Sequence, residues 1–274
     1  MRVQLASVPG SATEENEDFA AAVPGGLVLL DGAASPAGLP SGCSHSVAWY
    51  ARTLGGLLAG QITNTSQTLT DALAASIISV NALHSGTCDL ASPHSPSAAI
   101  AAVRAHGERL DYLLLSDSTL LVDRPGVEPL ALCDNRLDEV HAILGYPATM
   151  PAYGSPERDA AMLAHVRDLG GYRNQPGGFW VASTSPGAAR EAVTGSLSLA
   201  EVAAIALLTD GATRIVDVFG LLAWPHALRV LHDRGPAELI AQTRGAEASD
   251  PGCGRWPRSK ASDDATVAYW PLRH

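Results

Sequence analysis

Lysine is almost absent from this chain: Lys260 stands alone, and every other basic residue is Arg. The pattern fits coding bias, as does the abundance of Ala, and neither is read as function. Positive charge is scarce altogether. The formal net charge is -10 and the densest basic group is Arg255, Arg258 and Lys260, so no nucleic-acid partner is expected, because its phosphates would be repelled. Aromatic residues make up 5%, and Trp49, Trp180, Trp224, Trp256 and Trp270 lack the spacing of a base-stacking platform. Cys43, Cys88, Cys133 and Cys253 lie far apart with no Cys-x-x-Cys pair. Isolated thiols are therefore expected, rather than a zinc site or a disulfide. No apolar run approaches the ~18 residues of a membrane span, and Met1-Arg2-Val3-Gln4-Leu5 opens no long apolar segment. A soluble, cytoplasmic protein with no membrane partner is expected. A Gly-x-Ser-x-Gly nucleophile elbow is also missing.

What the chain has is apolar substance. Hydrophobic residues make up 46% and charged residues 17% of 274, enough to bury a full core. A strand is expected over Arg2 to Ser7, and a hairpin over Phe19 to Val23 and Gly26 to Leu30. Apolar positions recurring at threes and fours predict helices over Ser46 to Leu58 and Gln67 to Leu83, with Ser66 and Thr68 as cap candidates. Ser97 to Arg104, Leu110 to Leu115 and Thr119 to Val122 read as three strands joined by short turns, the pattern of an antiparallel meander. Helices are expected over Leu137 to Leu144, Ser155 to Leu169, Ala212 to Leu222, His226 to Asp233 and Pro236 to Ala246. Strands are expected over Phe179 to Ala182, Val202 to Leu208 and Ala265 to Trp270. Regular βαβ alternation is lacking, which favours an α+β layered fold with antiparallel sheets over a doubly wound one. The polar stretches at 87–96 and 247–262 read as surface loops, not linkers, so 1–274 is expected to be one domain.

Acidic residues stand at the ends of the strand-like runs. Leu27 to Leu30 leads into Asp31-Gly32, Leu113 to Leu115 into Ser116-Asp117-Ser118, and Ile205 to Thr209 into Asp210-Gly211; Asp263-Asp264 precedes the last run. Short Asp side chains on stiff strand ends suit hard divalent cations, and a following Gly can let the backbone turn sharply toward the same ion. Asp-Gly after a strand is equally a common turn signal, and Asp210 could simply begin a helix. Spacing alone leaves both readings open.

The order of these motifs resembles that of the type 2C metal-dependent Ser/Thr protein phosphatases. Asn16-Glu17-Asp18 is similar to that family's N-terminal signature, Asp31-Gly32 to its central metal motif, and Ser116-Asp117-Ser118 to its Gly-Asp-Ser. Leu208-Thr209-Asp210-Gly211 is similar to its Ser-Asp-Gly, and Asp263-Asp264-Ala265-Thr266 to its Asp-Asn-x-Thr ending. The resemblance implies a four-layer αββα sandwich, two antiparallel sheets flanked by helices. It also implies Mn²⁺ or Mg²⁺, two ions with a weaker third. Asp31 would bridge the ions, Gly32 would offer its carbonyl, and Asp210 and Asp263 would complete one ion. Glu17 or Asp18 would hold the second, and Asp117 with Asp210 the third. Asp31, Asp210 and Asp263 are thus the expected catalytic core. The implied activity is hydrolysis of phosphoserine or phosphothreonine in proteins through a metal-bridged water, by a monomer working opposite a Ser/Thr kinase system.

Four departures qualify this. Thr13 stands where the family has its phosphate-binding Arg and cannot make a bidentate charged contact. Arg52, Arg104 and Arg214 are unranked replacements. Ala33-Ala34-Ser35-Pro36 replaces a Gly-Gly-His, with His45 further on as a candidate general acid or a structural His. Ser116 replaces Gly, and Asp264 replaces Asn as a candidate extra ligand. Two other functions therefore stay open. One is a weak or inactive relative that binds a phosphoprotein as a regulator. The other is a phosphatase for a small phosphorylated metabolite, to which the Gly145 to Gly154 loop would contribute.

Overall fold

The computed structural model describes residues 2–33, 40–146 and 150–273. The stretch Ala34-Ser35-Pro36 and part of the Gly145 to Gly154 loop lie outside them. Among the described residues, ten strands form two five-stranded antiparallel sheets. The first joins β1 (Gln4–Val8), β10 (Ala265–Pro271), β9 (Ala204–Leu208), β6 (Thr119–Asp123) and β7 (Leu130–Leu132), in that order. The second joins β2 (Phe19–Val23), β3 (Gly26–Ala33), β4 (Ser97–His106), β5 (Arg109–Leu115) and β8 (Val193–Ser198).

Side chains alternate along each strand, and here both faces are covered. On β3, Leu27 and Leu29 point between the sheets with Ala101, Leu114, Leu120, Leu207 and Ala268. Val28 and Leu30 point the other way, against Tyr50, Leu54, Leu58, Leu73 and Ile77. These belong to α1 (Val47–Gln61) and α2 (Leu69–His84). On the opposite side, Leu121, Ala206, Leu208 and Val267 pack on α5 (Asp210–Asp217), α6 (Trp224–Arg234) and α7 (Pro236–Ser249). Burial on both faces is why these strands read as unbroken apolar runs. The result is the expected αββα sandwich. Two further helices, α3 (Arg136–Ile143) and α4 (Pro156–Gly170), enclose a smaller cluster around Phe179 and Val181.

Three predicted helix starts hold, while α5 and α6 begin two residues earlier than expected and α5 ends at Asp217 instead of Leu222. Ser46, Thr68 and Ser155 each accept a hydrogen bond from the backbone N–H three residues on, capping α1, α2 and α4. The predicted meander does not. β4 pairs with β5, but β6 lies in the other sheet beside β9, so Ser116-Asp117-Ser118 is a crossing between layers and not a hairpin turn. Phe179 to Ala182 makes isolated bridges to Arg173 and Ala98 instead of a strand, and the short strands β7 and β8 were not anticipated. Among the described residues, no helix is long and apolar enough to cross a membrane.

Candidate functional site

The predicted carboxylates converge at one end of the sandwich, where strand ends of both sheets meet. Asp31 and Gly32 sit in the last residues of β3, paired with Ala99 and Ala98 of β4. Asp18 immediately precedes β2, Asp117 lies on the crossing from β5 to β6, Asp210 opens α5 just after β9, and Asp263 precedes β10. Asp31, Gly32, Asp117, Asp210 and Asp263 line one cleft of about 400 Å³. Asp117 and Asp210 also line a neighbouring cleft of about 640 Å³, so they form the wall between the two.

Thr209 ties the elements together. Its Oγ1 donates to Asp18 Oδ2 at 3.1 Å and accepts from the Thr266 backbone N–H at 2.9 Å. The glycines after Asp31 and Asp210 serve close approach, not the sharp turns expected of them. Gly32 continues β3, and a Cβ there would lie 2.6 Å from the Glu17 carbonyl. Gly211 is in the first turn of α5, where a Cβ would meet the Asp264 carbonyl at 1.9 Å.

Crowding raises the proton affinity of the cluster. Burial pushes Asp31 well above the usual carboxylate range, reinforced by Asp210, Asp18, Asp117 and Asp263. Burial likewise lifts Asp18 to about 8, against hydrogen bonds from Thr266 and Thr209 and with help from Asp210 and Asp264. Asp117 rises to about 7 through burial and the charge of Asp210. Asp210 rises through burial and the charge of Asp263, with Arg214 opposing. Glu17 rises to about 7 through burial, with Lys260 opposing. Such a set cannot all ionise without a cation. The donors are oxygen throughout, and Asp18 Oδ1 is buried with no hydrogen-bond partner among the described residues. An unpaired buried carboxylate oxygen beside other carboxylates fits a hard divalent ion.

Asp264, a candidate extra ligand, has both oxygens engaged elsewhere. Its Oδ1 accepts from Gly10 N at 2.8 Å and its Oδ2 from Glu17 N at 2.7 Å, so it clamps the N-terminal segment in place. A single Asn oxygen could not readily satisfy both donors, which accounts for the acidic residue. Ser116 adopts φ +66°, the left-handed region that Gly enters freely; its N–H donates to Asp134 at 3.1 Å and its Oγ to Asp117 Oδ1 at 3.2 Å.

Of the Arg replacements considered for Thr13, Arg104 is buried and bonded to the carbonyls of Asn64 and Gln67 and paired with Asp111. Arg214 is buried between Glu247 Oε1 at 3.0 Å and Asp263 Oδ2 at 2.8 Å. Arg52 pairs with Glu15 and donates to the Asn16 carbonyl at 3.1 Å, close to the exposed Thr13 segment. A second cation, outside the three Arg considered, reaches the carboxylates beside Arg214. Lys260 Nζ lies 2.7 Å from Asp263 Oδ1 and lines the cleft. Arg173 lines it too, bonded to the Pro93 and Ser95 carbonyls and to Ser183 Oγ. An isolated Lys in a Gly/Pro-rich loop carries no sequence signal of its position.

The thiols also depart from expectation. Cys43 and Cys88, expected to be isolated, lie 3.1 Å apart at sulfur, with His45 and His84 beside them. The sequence carries a signal for this: Cys43 and His45 are two residues apart, and His84 and Cys88 four. The expectation that no closely spaced Cys or His pair is present overlooks these mixed pairs. His45, a candidate general acid, belongs to this cluster.

No protein-family model matches the chain, and no curated protein sequence matches it. Solved structures do. The chain aligns over 100% of its length, and 99% of the other chain, with the Mycobacterium tuberculosis serine/threonine phosphatase PstP/Ppp, at TM-score 0.61 and 17% identity. It aligns over 98%, and 97% of the other chain, with the PstP catalytic domain in complex with two manganese ions, at TM-score 0.59 and 17% identity. With Stp1 of Staphylococcus aureus it aligns over 99%, and 95% of the other chain, at TM-score 0.60 and 12% identity. The two antiparallel sheets flanked by helices are therefore the fold of these bacterial Ser/Thr phosphatases.

Proposed function

We propose that this chain is a metal-dependent phosphoric monoester hydrolase that removes phosphate from phosphoserine or phosphothreonine in proteins. The observation that carries the reading is the meeting of Asp18, Asp31, Asp117, Asp210 and Asp263, from both sheets, in one oxygen-lined cluster. The two manganese ions of the similar PstP catalytic domain support it. Asp31, Asp210 and Asp263 would hold Mn²⁺ or Mg²⁺, joined by the Gly32 carbonyl, by Asp18 or Glu17, and by Asp117 for a weaker ion. The bound ions would supply positive charge to the phosphate oxygens and acidify water for the attack on phosphorus.

The chain's own residues do the rest. Ser116 Oγ orients Asp117, and Arg214 holds one oxygen of Asp263 from the protein side. Lys260, on the cleft wall, would take the phosphate that Thr13 cannot grip, with Arg173 as a second positive charge in the same cleft. Phe179, Val181 and Leu169 give that cleft an apolar wall against which a peptide can lie and from which water is displaced.

Purified protein with Mn²⁺ is expected to hydrolyse an aryl phosphate and phosphopeptides, and Asp210→Asn to abolish both. Lys260→Ala is expected to lower kcat/KM on phosphopeptides about tenfold, equivalent to about 1.4 kcal/mol. Full activity in Asp210→Asn would refute the reading. A second reading is favoured by one observation: both oxygens of Asp263 already face cations, Arg214 at 2.8 Å and Lys260 at 2.7 Å. A regulator that binds phosphoprotein without turnover would use the same surface. Calorimetric Mn²⁺ binding with no hydrolysis of any phosphopeptide or phosphorylated metabolite would select it.

A further inference from the structure

Away from the acidic cluster, the chain leaving β3 meets the C-terminal end of α2. Cys43 Sγ lies 3.7 Å from His45 Nδ1 and 3.6 Å from His84 Nδ1, and Cys88 Sγ lies 3.4 Å from His45 Nδ1. The two sulfurs are 3.1 Å apart, and the candidate ligand atoms of all four side chains lie within 4.8 Å of one another. A disulfide needs sulfurs at about 2.05 Å, so these are not bonded to each other. A tetrahedral ion with Zn–S of about 2.3 Å and Zn–N of about 2.0 Å sets S···N edges near 3.5 Å and an S···S edge near 3.8 Å. The three S···N distances match, and the sulfurs need to part by about 0.7 Å.

We propose that Cys43, His45, His84 and Cys88 form a structural zinc site, independent of the acidic cluster. The donor set decides the metal. Two thiolates and two imidazoles suit Zn²⁺ and disfavour Mn²⁺ or Mg²⁺, which prefer oxygen. The charges balance: two thiols each release a proton, and two thiolates neutralise the dication. Four ligands close the tetrahedron and leave no position for substrate, so the role is structural.

The surroundings are built for such a site. The backbone N–H groups of Ser44 and His45 donate to Cys88 Sγ at 3.3 Å and Cys43 Sγ at 3.5 Å, as donors to a thiolate do. Ser44 Oγ and Thr87 Oγ1 stand 3.5 and 3.6 Å from Cys88 Sγ. His84 is 1% exposed; its Nδ1 faces Cys43, and its Nε2 has no partner among the described residues. Trp49 stacks on His45 with ring centroids 3.9 Å apart and fixes its plane.

The location gives the ion a task. Cys43 and His45 lie on the chain that runs from Asp31 and Gly32 to α1, and Cys88 leads into the loop whose Pro93 and His94 line the cleft. The Asp89 N–H already bonds the Gly42 carbonyl across the two segments at 2.7 Å. Zinc would lock that junction and set the cleft wall against the strand bearing Asp31.

The test is metal analysis of the whole chain after dialysis against a chelator strong enough to strip Mn²⁺, alongside replacement by Co²⁺. About one zinc per chain should remain. The Co²⁺ form should show a thiolate-to-cobalt charge-transfer band and the intense visible bands of tetrahedral cobalt. Cys88→Ser should lose most of the charge-transfer intensity and the retained zinc, whereas Asp210→Asn should keep both. If Cys88→Ser does not fold, the cobalt spectrum of the unaltered chain decides. Zinc absent from folded protein prepared with zinc, another metal in its place, or a Cys43–Cys88 disulfide seen as a mass loss of two hydrogens would each overturn the proposal. Phosphatase assays play no part, so failure here is distinct from failure of the proposed activity.

Discussion

Asp264 offers a sharp test, because the same residue reads as a ligand by position and as a clamp by geometry. Its two oxygens accept from Gly10 N at 2.8 Å and Glu17 N at 2.7 Å. Asp264→Asn keeps the shape and one acceptor, and turns an NH₂ group toward the other N–H. A hydrogen bond to a charged group is worth about 1.5–3 kcal/mol, and a buried donor left unsatisfied costs about 1–3 kcal/mol. The segment is half-buried, so a net loss of about 2 kcal/mol is expected. For a chain of this size that lowers Tm by about 4–8 °C.

The same substitution removes a negative charge that raises the pKa of both Glu17 and Asp18. Those two groups should therefore ionise at lower pH, which favours a divalent cation even as the segment carrying them loosens. Thermal unfolding with and without Mn²⁺, and Mn²⁺ titration at several pH values, separate the effects. The clamp reading expects a lowered Tm, Mn²⁺ stabilisation retained, and the pH midpoint of binding shifted downward. If Asp264→Asn loses Mn²⁺ as completely as Asp31→Asn, Asp264 is a ligand and the reasoning fails. An unchanged Tm would refute it equally.

Three other outcomes follow from the same cluster. Ser116 at φ +66° should tolerate Gly within about 1 kcal/mol, whereas Ser116→Val should cost about 2 kcal/mol in urea unfolding; the reverse order would refute the strain argument. Gly211→Ala places a Cβ 1.9 Å from the Asp264 carbonyl and should cost more than about 3 kcal/mol, visible as loss of soluble folded protein or a collapsed Tm. Metal-free protein should become less stable as pH rises. Asp18, with a folded pKa near 8, and Asp117 and Glu17, near 7, all stand above their unfolded values, so the folded state binds more protons. Their contribution is full below about pH 4 and is lost as pH climbs through 7 to 8. Mn²⁺ should cancel that loss, and urea midpoints that rise with pH in the presence of chelator would contradict it.

Local signals carried much of this structure and failed where two distant segments meet. Ser46, Thr68 and Ser155 cap helices because a cap is a contact between residues three apart, which a sequence displays directly. The runs ending at Asp31 and Asp210 were legible because strands covered on both faces need unbroken apolar residues. Whether Ser116-Asp117-Ser118 turns back or crosses to the other sheet is set by which strand receives β6, and β9 lies some eighty residues later. The left-handed Ser116 records that choice without announcing it.

The same divide separates the two clusters. The carboxylates could be ordered from sequence because each follows or precedes a strand, so the sheet topology gathers them. The Cys and His side chains sit on connections, and only the packing of α1 against α2 brings residue 43 to residue 88. Each half of that cluster shows a mixed pair at short spacing, Cys43 with His45 and His84 with Cys88, and neither pair alone exceeds chance. A chain with few cysteines that places two of them in such halves, each beside a His, has a testable reason to do so: a tetrahedral ion needs its ligands from segments that must be held together, and the second of these leads to Pro93 and His94 on the cleft at which Asp31 stands.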